Sequence, residues 1–437
     1  MSTQIASAPE ATELGARESK ASAVPKLDRW AIGATVAGNA LEFYDFLAYT
    51  TFAVYIGKAF FPARTAFFSL LLSLATFGVG FFTRPLGGLL IGAFGDRAGR
   101  RPALMLTISL MAVGTLAVAV TPTYSTIGIA APVILVAARL VQGLALGGEV
   151  GPSTAVLLEC APPGRRGAYT SWQSASQSMA ILAAGLIGTA LAQLLSKEDL
   201  ANWGWRVPFA LGLLIVPVGL YIRRRLPETL LALREREDPA VLRLLWSEHR
   251  RSLVLAVLII MSLTINIYVL NYMTTYALTT LGMQTSVAML STLTLGGIGA
   301  VAAFWSGDLS DRLGRKPVMI LSRVAMMFAI APAFVFLISQ KTGGALVTVT
   351  AVLSMLQILG SVAALAALTE IFPNEVRCSG VAVSYAVSVA IFGGTTQFVI
   401  AWLIGITGDP LAPAYYVIAT SLISLWAMLK VPETYKS

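Results

Sequence analysis

The chain has 437 residues, of which 56% are hydrophobic and only 12% charged, and its mean hydropathy is +0.76. Soluble domains carry roughly 25% charged residues, so the composition excludes an ordinary soluble enzyme and points to repeated membrane spans. The net charge of +9 does not argue for nucleic acid: membrane proteins hold excess Lys and Arg in their cytoplasmic loops, and no basic patch interleaved with aromatics lies outside the apolar runs.

In chain order, residues 1–29 are rich in Ala, Ser and Glu, have no apolar run, and read as a disordered cytoplasmic tail. Twelve helices are predicted at 30–57, 66–92, 102–120, 127–158, 168–194, 205–224, 251–280, 286–308, 317–339, 344–369, 379–405 and 412–430. Apolar runs of about 20 residues suffice to cross a bilayer. The charged stretch 223–251 is the only long polar connection. It divides the chain into an N-terminal six-helix bundle (30–224), a cytoplasmic linker (225–250) and a C-terminal six-helix bundle (251–437). With both termini inside, alternating topology puts 23 of the 31 Lys and Arg in cytoplasmic segments and 5 outside, which sets that orientation. Arg84, Arg139 and Arg323 remain within helices.

The two cysteines, Cys160 and Cys378, fall near cytoplasmic helix ends and read as reduced structural thiols. The single histidine, His249, lies in a loop, and no His/Cys cluster has metal spacing, so neither a metal nor a cofactor is expected. "GLALGGEVG" at 143–151 spaces Gly143, Gly147 and Gly151 by four, the pattern of close helix packing in a membrane. No strand precedes it and no lysine follows, so it is not a phosphate loop.

A charge at the bilayer centre costs about 2.5–3.5 kcal/mol or more, so intramembrane polar residues are expected to face a cavity or a partner. Asn39, Glu42, Asp45 and Tyr49 step by three, three and four and are read as one broad face of helix 1. Helix 4 carries Arg139 and Gln142, with Glu149 seven further on. Helix 5 carries Tyr169, Gln173, Ser176 and Gln177. Asp45 is the candidate proton carrier, with Glu42 beside it, pairing with Arg139 when ionised. The guanidinium favours the carboxylate and desolvation favours the neutral acid. The alternative reading is a static buried pair that fixes packing. Arg84 and Arg139 are the candidate anchors for an anionic substrate through bidentate contacts; Arg84 has the equal alternative of neutralising Glu42 or Asp45. Asn39, Gln142, Gln173, Ser176, Gln177 and Asn266 would add neutral hydrogen bonds. Tyr272, from the stripe Tyr268, Tyr272 and Tyr276 on helix 7, would close the site from the C-terminal half, with Tyr385 and Gln397 on helix 11.

The two halves repeat. "GAFGDRAGRRP" begins at Gly92 and "GDLSDRLGRKP" at Gly307; Glu159 and Glu370 each precede an arginine by seven; "PET" recurs at 227 and 432. Three markers in the same order, at offsets of 215, 211 and 205, imply a duplicated six-helix unit with pseudo-two-fold symmetry along the membrane normal and a site between the halves.

The duplicated G-x-x-x-D-R-x-G-R-[KR] element resembles the signature of the major facilitator superfamily. The resemblance implies gating roles for Asp96, Arg97, Arg100, Asp311, Arg312, Arg315, Glu159 and Glu370, holding an outward-open state without touching substrate. "GNALEFYDF" at 38–46, "FFTRPLGG" at 81–88, "RLVQGLALGGE" at 139–149, "WGWRVPF" at 203–209, "ALTEIFP" at 367–373 and "AIFGG" at 390–394 resemble the metabolite–proton symporter family. "YTSWQSASQ" at 169–177 and "ITGD" at 406–409 are most similar to citrate and tricarballylate proton symporters. The chain departs from those relatives at Thr274, where they carry Pro, at Phe43 and Tyr44, and in the added charge of Arg323.

The resemblance implies uptake of a di- or tricarboxylate with protons by alternating access in a bacterial-type inner membrane, by a monomer whose partners are the acid, protons and lipid. The alternatives are proton symport of another metabolite (a 2-oxo acid, a shikimate-like acid, proline or betaine) and drug–proton antiport. Antiporters usually carry a Gly-Pro motif on helix 5, and residues 168–194 contain no Pro. An enzyme would need a metal site, an activated nucleophile or a phosphate loop.

Overall fold

The computed structural model describes residues 29–98, 100–147, 166–224, 245–373 and 376–433. Its helices group into twelve units. The N-terminal half contains α1 (Arg29–Thr51, continued by Ala53–Phe60), α2 (Ala66–Phe82 and Arg84–Ala98), α3 (Arg100–Val120), α4 (Ala130–Gly147), α5 (Arg166–Leu194) and α6 (Val207–Arg224). The C-terminal half contains α7 (Arg250–Thr279), α8 (Thr285–Leu313), α9 (Arg315–Gln340), α10 (Gly343–Ile371), α11 (Arg377–Ser388, a π-helical turn Val389–Gly393, then Gly394–Thr407) and α12 (Ala412–Lys430). Nine helices among the described residues are long and apolar enough to cross a membrane. The expected tail, the linker up to residue 244, Glu149, Gly151, Glu159 and Cys160 lie outside the described residues, as do the side chains of Glu42, Asp96, Arg97, Arg100 and Cys378.

Several boundaries differ from the expected ones for local reasons. Helix α8 runs to Leu313, not 308, and takes the acidic motif residues into its last turn. It ends where Gly314 adopts φ +95, a conformation that suits a residue without Cβ. Helix α2 breaks at Thr83, whose hydroxyl lies within donating distance of the Gly80 and Leu140 carbonyls, at 3.1 and 2.9 Å, just before Pro85 removes a backbone donor. His249 is the residue preceding the first turn of α7.

The bundles meet mainly along α5 with α8 and α2 with α11. A side chain at Gly185 would strike Leu293 at 2.5 Å, and one at Gly307 would strike Ala168 at 2.9 Å, so α5 and α8 touch nearly backbone to backbone. Gly78 and Gly394 do the same for α2 and α11. The halves also touch at both ends. The Gly167 and Ala168 amides donate to Asp311 on the motif side, and the Tyr55 and Thr285 hydroxyls lie 3.0 Å apart on the opposite side.

Candidate functional site

Glycines on α2 and α4 set the site's position. A Cβ at Gly143, Gly147 or Gly87 would collide with the backbone carbonyl of Gly80, Arg84 or Leu144, respectively, so the two helices approach as closely as backbones can. The expected packing role of Gly143 and Gly147 is met here. The seam delivers Arg84 and Arg139 side by side onto α1. The Arg139 guanidinium lies 3.8 Å from the Tyr49 ring centroid and 5.9 Å from that of Phe46; Arg84 lies 4.0 Å from Phe81 and 4.6 Å from Phe46. Both guanidinium groups therefore lie near the Phe46 ring.

Both arginines are buried. Ring faces contribute about 2 kcal/mol to a desolvated cation, against several kcal/mol to strip its water. The contacts leave Nε and Nη2 of Arg84 and all three nitrogens of Arg139 without hydrogen-bond partners. Tyr268 of α7 and Tyr385 of α11 lie within electrostatic reach of Arg84, so the C-terminal half also faces this cation. A pair of buried guanidinium groups with free donors is equipped to hold carboxylates.

Asp45 is buried as expected, but it forms no ion pair with Arg139. Its Oδ2 accepts from the Thr115 hydroxyl of α3, and Arg139 acts on it only through space. Oδ1, without a hydrogen-bond partner, fills the space over Gly212 of α6, where any Cβ would collide with it. Asp45 thus points toward α3 and α6 within its own bundle. The broad face expected on helix 1 divides here: two three-residue steps turn a helix by about 120°, so Asn39 faces α5 while Asp45 faces α3 and α6. Asn39 Nδ2 donates to Ser176 at 2.6 Å, and Gln173 Nε2 donates to Asn39 Oδ1 at 3.2 Å. Gln142 Nε2 donates to Thr115 at 3.0 Å. Gln177 is half-buried on α5.

In the C-terminal half, both amide atoms of Asn266 lack partners, as does Oε1 of Gln397, whose Nε2 reaches the Tyr268 carbonyl at 3.5 Å. Among the helix 7 tyrosines, Tyr268 packs on Phe77 and Phe81 and faces Arg84; Tyr272 sits in an apolar cluster with residues such as Leu74, Ile265 and Ala401. Gly393, in the π-helical turn of α11, gives Phe81 and Tyr268 room to meet, and such turns often mark functional sites. Thr115, Gly212, Tyr268 and the Phe46–Phe81 pair were not singled out as site residues from the sequence.

The second motif forms a contact between the halves. Asp311 accepts from Gly167 N at 3.0 Å and Ala168 N at 2.9 Å, the first turn of α5, where a helix terminus favours an anion. Arg315 bonds Asp311 at 2.6 Å and lies 3.5 Å from Glu370. Arg312 is exposed.

Arg323 stands apart, buried on α9, with one long bond of 3.5 Å to Ser421 and no partner for Nε. Replacing a poorly paired buried ion by an apolar side chain is often stabilising by about 1–4 kcal/mol. Arg323→Met is expected to melt at or above the wild-type temperature with unchanged substrate affinity, checked by thermal unfolding and uptake KM.

This arrangement of two six-helix halves is shared with known proteins. The Major Facilitator Superfamily profile matches residues 35–395. The chain belongs to the Major Facilitator Superfamily. Within it, the chain is 36% identical over 403 residues to the citrate-proton symporter of Klebsiella pneumoniae, covering 91% of this chain and 90% of that protein. It is 32% identical over 423 residues to the proline/betaine transporter of Salmonella typhimurium, covering 93% and 84%. A crystal structure of a D-xylose-proton symporter superposes with a TM-score of 0.75 at 20% identity, covering 93% and 98%, a likeness of fold.

Proposed function

We propose that the chain is a proton-coupled symporter that takes up a di- or tricarboxylate such as citrate by alternating access. It would act as a monomer in a bacterial-type cytoplasmic membrane with both termini in the cytoplasm. The observation that carries the reading is the pair of buried guanidinium groups, Arg84 and Arg139, whose nitrogens are largely without hydrogen-bond partners. Two buried cations that both lie near one aromatic ring suit a substrate with two or more carboxylates. Asn39, Gln173 and Ser176 would orient it, and Asp45 would carry the proton. The citrate-proton symporter relatives, similar along nearly the whole chain, support the same reading.

A second reading has its own support. Phe46, Phe77, Phe81 and Tyr268 form a continuous aromatic cluster. Such rings attract quaternary ammonium groups, and proline/betaine transporters are among the relatives. Here the faces of Phe46 and Phe81 are already taken by Arg84, which favours the carboxylate.

The test is thermal unfolding of the purified protein with citrate, tricarballylate, betaine or proline at two pH values. A ligand at a hundred times its Kd stabilises by about 2.7 kcal/mol. Stabilisation by the tricarboxylates alone is expected; a response to betaine or proline with none to citrate would replace this reading with the second.

A further inference from the structure

The Thr115 hydroxyl occupies a position with more neighbours than one proton can serve. It is buried on α3, within reach of Asp45 Oδ2, Gln142 Nε2 at 3.0 Å and the Met111 carbonyl at 2.9 Å. A hydroxyl offers one donor and two acceptor sites. Gln142 can only donate through that nitrogen, and the Met111 carbonyl can only accept. The direction of the bond to Asp45 is therefore set by the charge on Asp45. When Asp45 is ionised, Thr115 donates to it and the Met111 carbonyl keeps only its helical partner. When Asp45 is protonated, the acid donates to Thr115, whose own proton turns to Met111. Gln142 donates in both states.

We propose that Thr115 is a positioning residue for the coupling proton: a two-position hydroxyl rotor, held by Gln142 of α4, that solvates Asp45 in both charge states. The inference rests on the reading of Asp45 as the proton carrier. Gln142, which holds the rotor, lies three residues from Arg139 on α4. Loss or gain of the proton re-aims one hydrogen bond between α3 and its own backbone. That bond is made through a rotation about a single C–O bond, with no heavy-atom movement.

The other groups around Asp45 do not offer this. Arg139 of α4 and Tyr44 of its own helix act on it electrostatically. The Tyr44 hydroxyl is engaged by the Pro208 carbonyl of α6, and Tyr49 by the Ser73 carbonyl of α2. Helix α6 meets the carboxylate with Gly212, α5 faces α1 with the neutral Gln173 and Ser176, and α7 and α2 bring Tyr268 against Phe81 and Arg84 against Phe46.

Hydrogen bonds to an ion are roughly twice as strong as neutral ones, so removing the hydroxyl costs the carboxylate more than the acid. In Thr115→Val, the external pH of half-maximal proton-driven uptake is expected to move to the alkaline side by about one unit, with substrate counterflow retained. Thr115→Ser restores the wild-type profile, and Thr115→Ala, which cannot overpack, shifts it as Val does. In difference infrared spectra, the carboxylic-acid band that Asp45→Asn abolishes moves to higher frequency in Thr115→Val and Thr115→Ala, because its bonded acceptor is gone. A wild-type pH profile and an unmoved band in both variants overturn the proposal. If Asp45→Asn blocks proton-driven uptake while the Thr115 variants keep the wild-type profile, this inference alone fails. Proton-driven uptake that survives Asp45→Asn removes the underlying reading itself.

Discussion

Asp45→Asn is expected to abolish uptake driven by an inward proton gradient while leaving counterflow exchange of substrate. The substitution keeps the side-chain volume and an oxygen that can accept from Thr115, so the packing of α1 against α3 and α6 persists. What is lost is the group that changes charge. Asp45 suits that role because nothing compensates its charge completely: Oδ1 has no hydrogen-bond partner, Oδ2 has one hydroxyl, and Arg139 acts on it without an ion pair. A buried carboxylate with such partial support is poised, because a small approach of Arg139 favours the ion and a small retreat favours the acid. A salt bridge at full contact would hold the ion permanently and make Asp45 structural. The lack of that contact therefore fits coupling better than static packing. The measurement is radiolabelled uptake into proteoliposomes with and without a proton gradient, against exchange at equal pH. Loss of both activities with intact folding would make Asp45 a substrate ligand, and wild-type uptake would remove it from the mechanism.

The helices and the buried charges were legible because membrane spans leave little room for polar residues. Asp45, Arg84 and Arg139 stand out in apolar runs, and each is buried in the folded chain. The partners were harder to read. Thr115 resembles any threonine in a membrane helix, where the hydroxyl can return to its own backbone, as it does to Met111. Only the tertiary fold shows that Asp45 and Gln142 arrive at the same atom. Gly212 carries no sequence signal of its own, and only the fold shows Asp45 filling the space beside it. The tyrosine stripe on α7 marks one helix face, yet a period of four cannot say which turn meets the other half. The π-helical turn and Gly393 of α11 set that level, bringing Tyr268 to Phe81 and leaving Tyr272 one turn away among apolar side chains. Asn39 and Asp45 were read on one face because steps of three look periodic; the accumulated rotation separates them.

Arg139→Gln is expected to lose tricarboxylate binding, and Arg84→Gln to weaken it, with a different signature for each. Arg139 has no hydrogen-bond partner for any nitrogen and lies against the Tyr49 ring within the N-terminal bundle. Its guanidinium is the better candidate for a bidentate clamp on one carboxylate, and charge-assisted bonds of that kind contribute about 1.5–3 kcal/mol each. Two of them correspond to at least a hundred-fold in affinity, since about 1.4 kcal/mol is tenfold. Arg84 lies against Phe46 and Phe81 and faces Tyr268 and Tyr385 across the bundle interface. Its loss removes a second carboxylate contact and also a cation that ties α2 to α7 and α11. Arg84→Gln is therefore expected to raise KM about tenfold, the effect of one bond, and also to change the exchange rate at saturating substrate, because the same side chain lies on the moving boundary. A monocarboxylate probe separates the two arginines. If Arg139 holds the first carboxylate and Arg84 the second, Arg84→Gln loses the preference for citrate over a monocarboxylate, whereas Arg139→Gln loses both. Isothermal titration of each variant with citrate and acetate measures the difference; wild-type citrate affinity in Arg139→Gln would place the anion elsewhere in the fold.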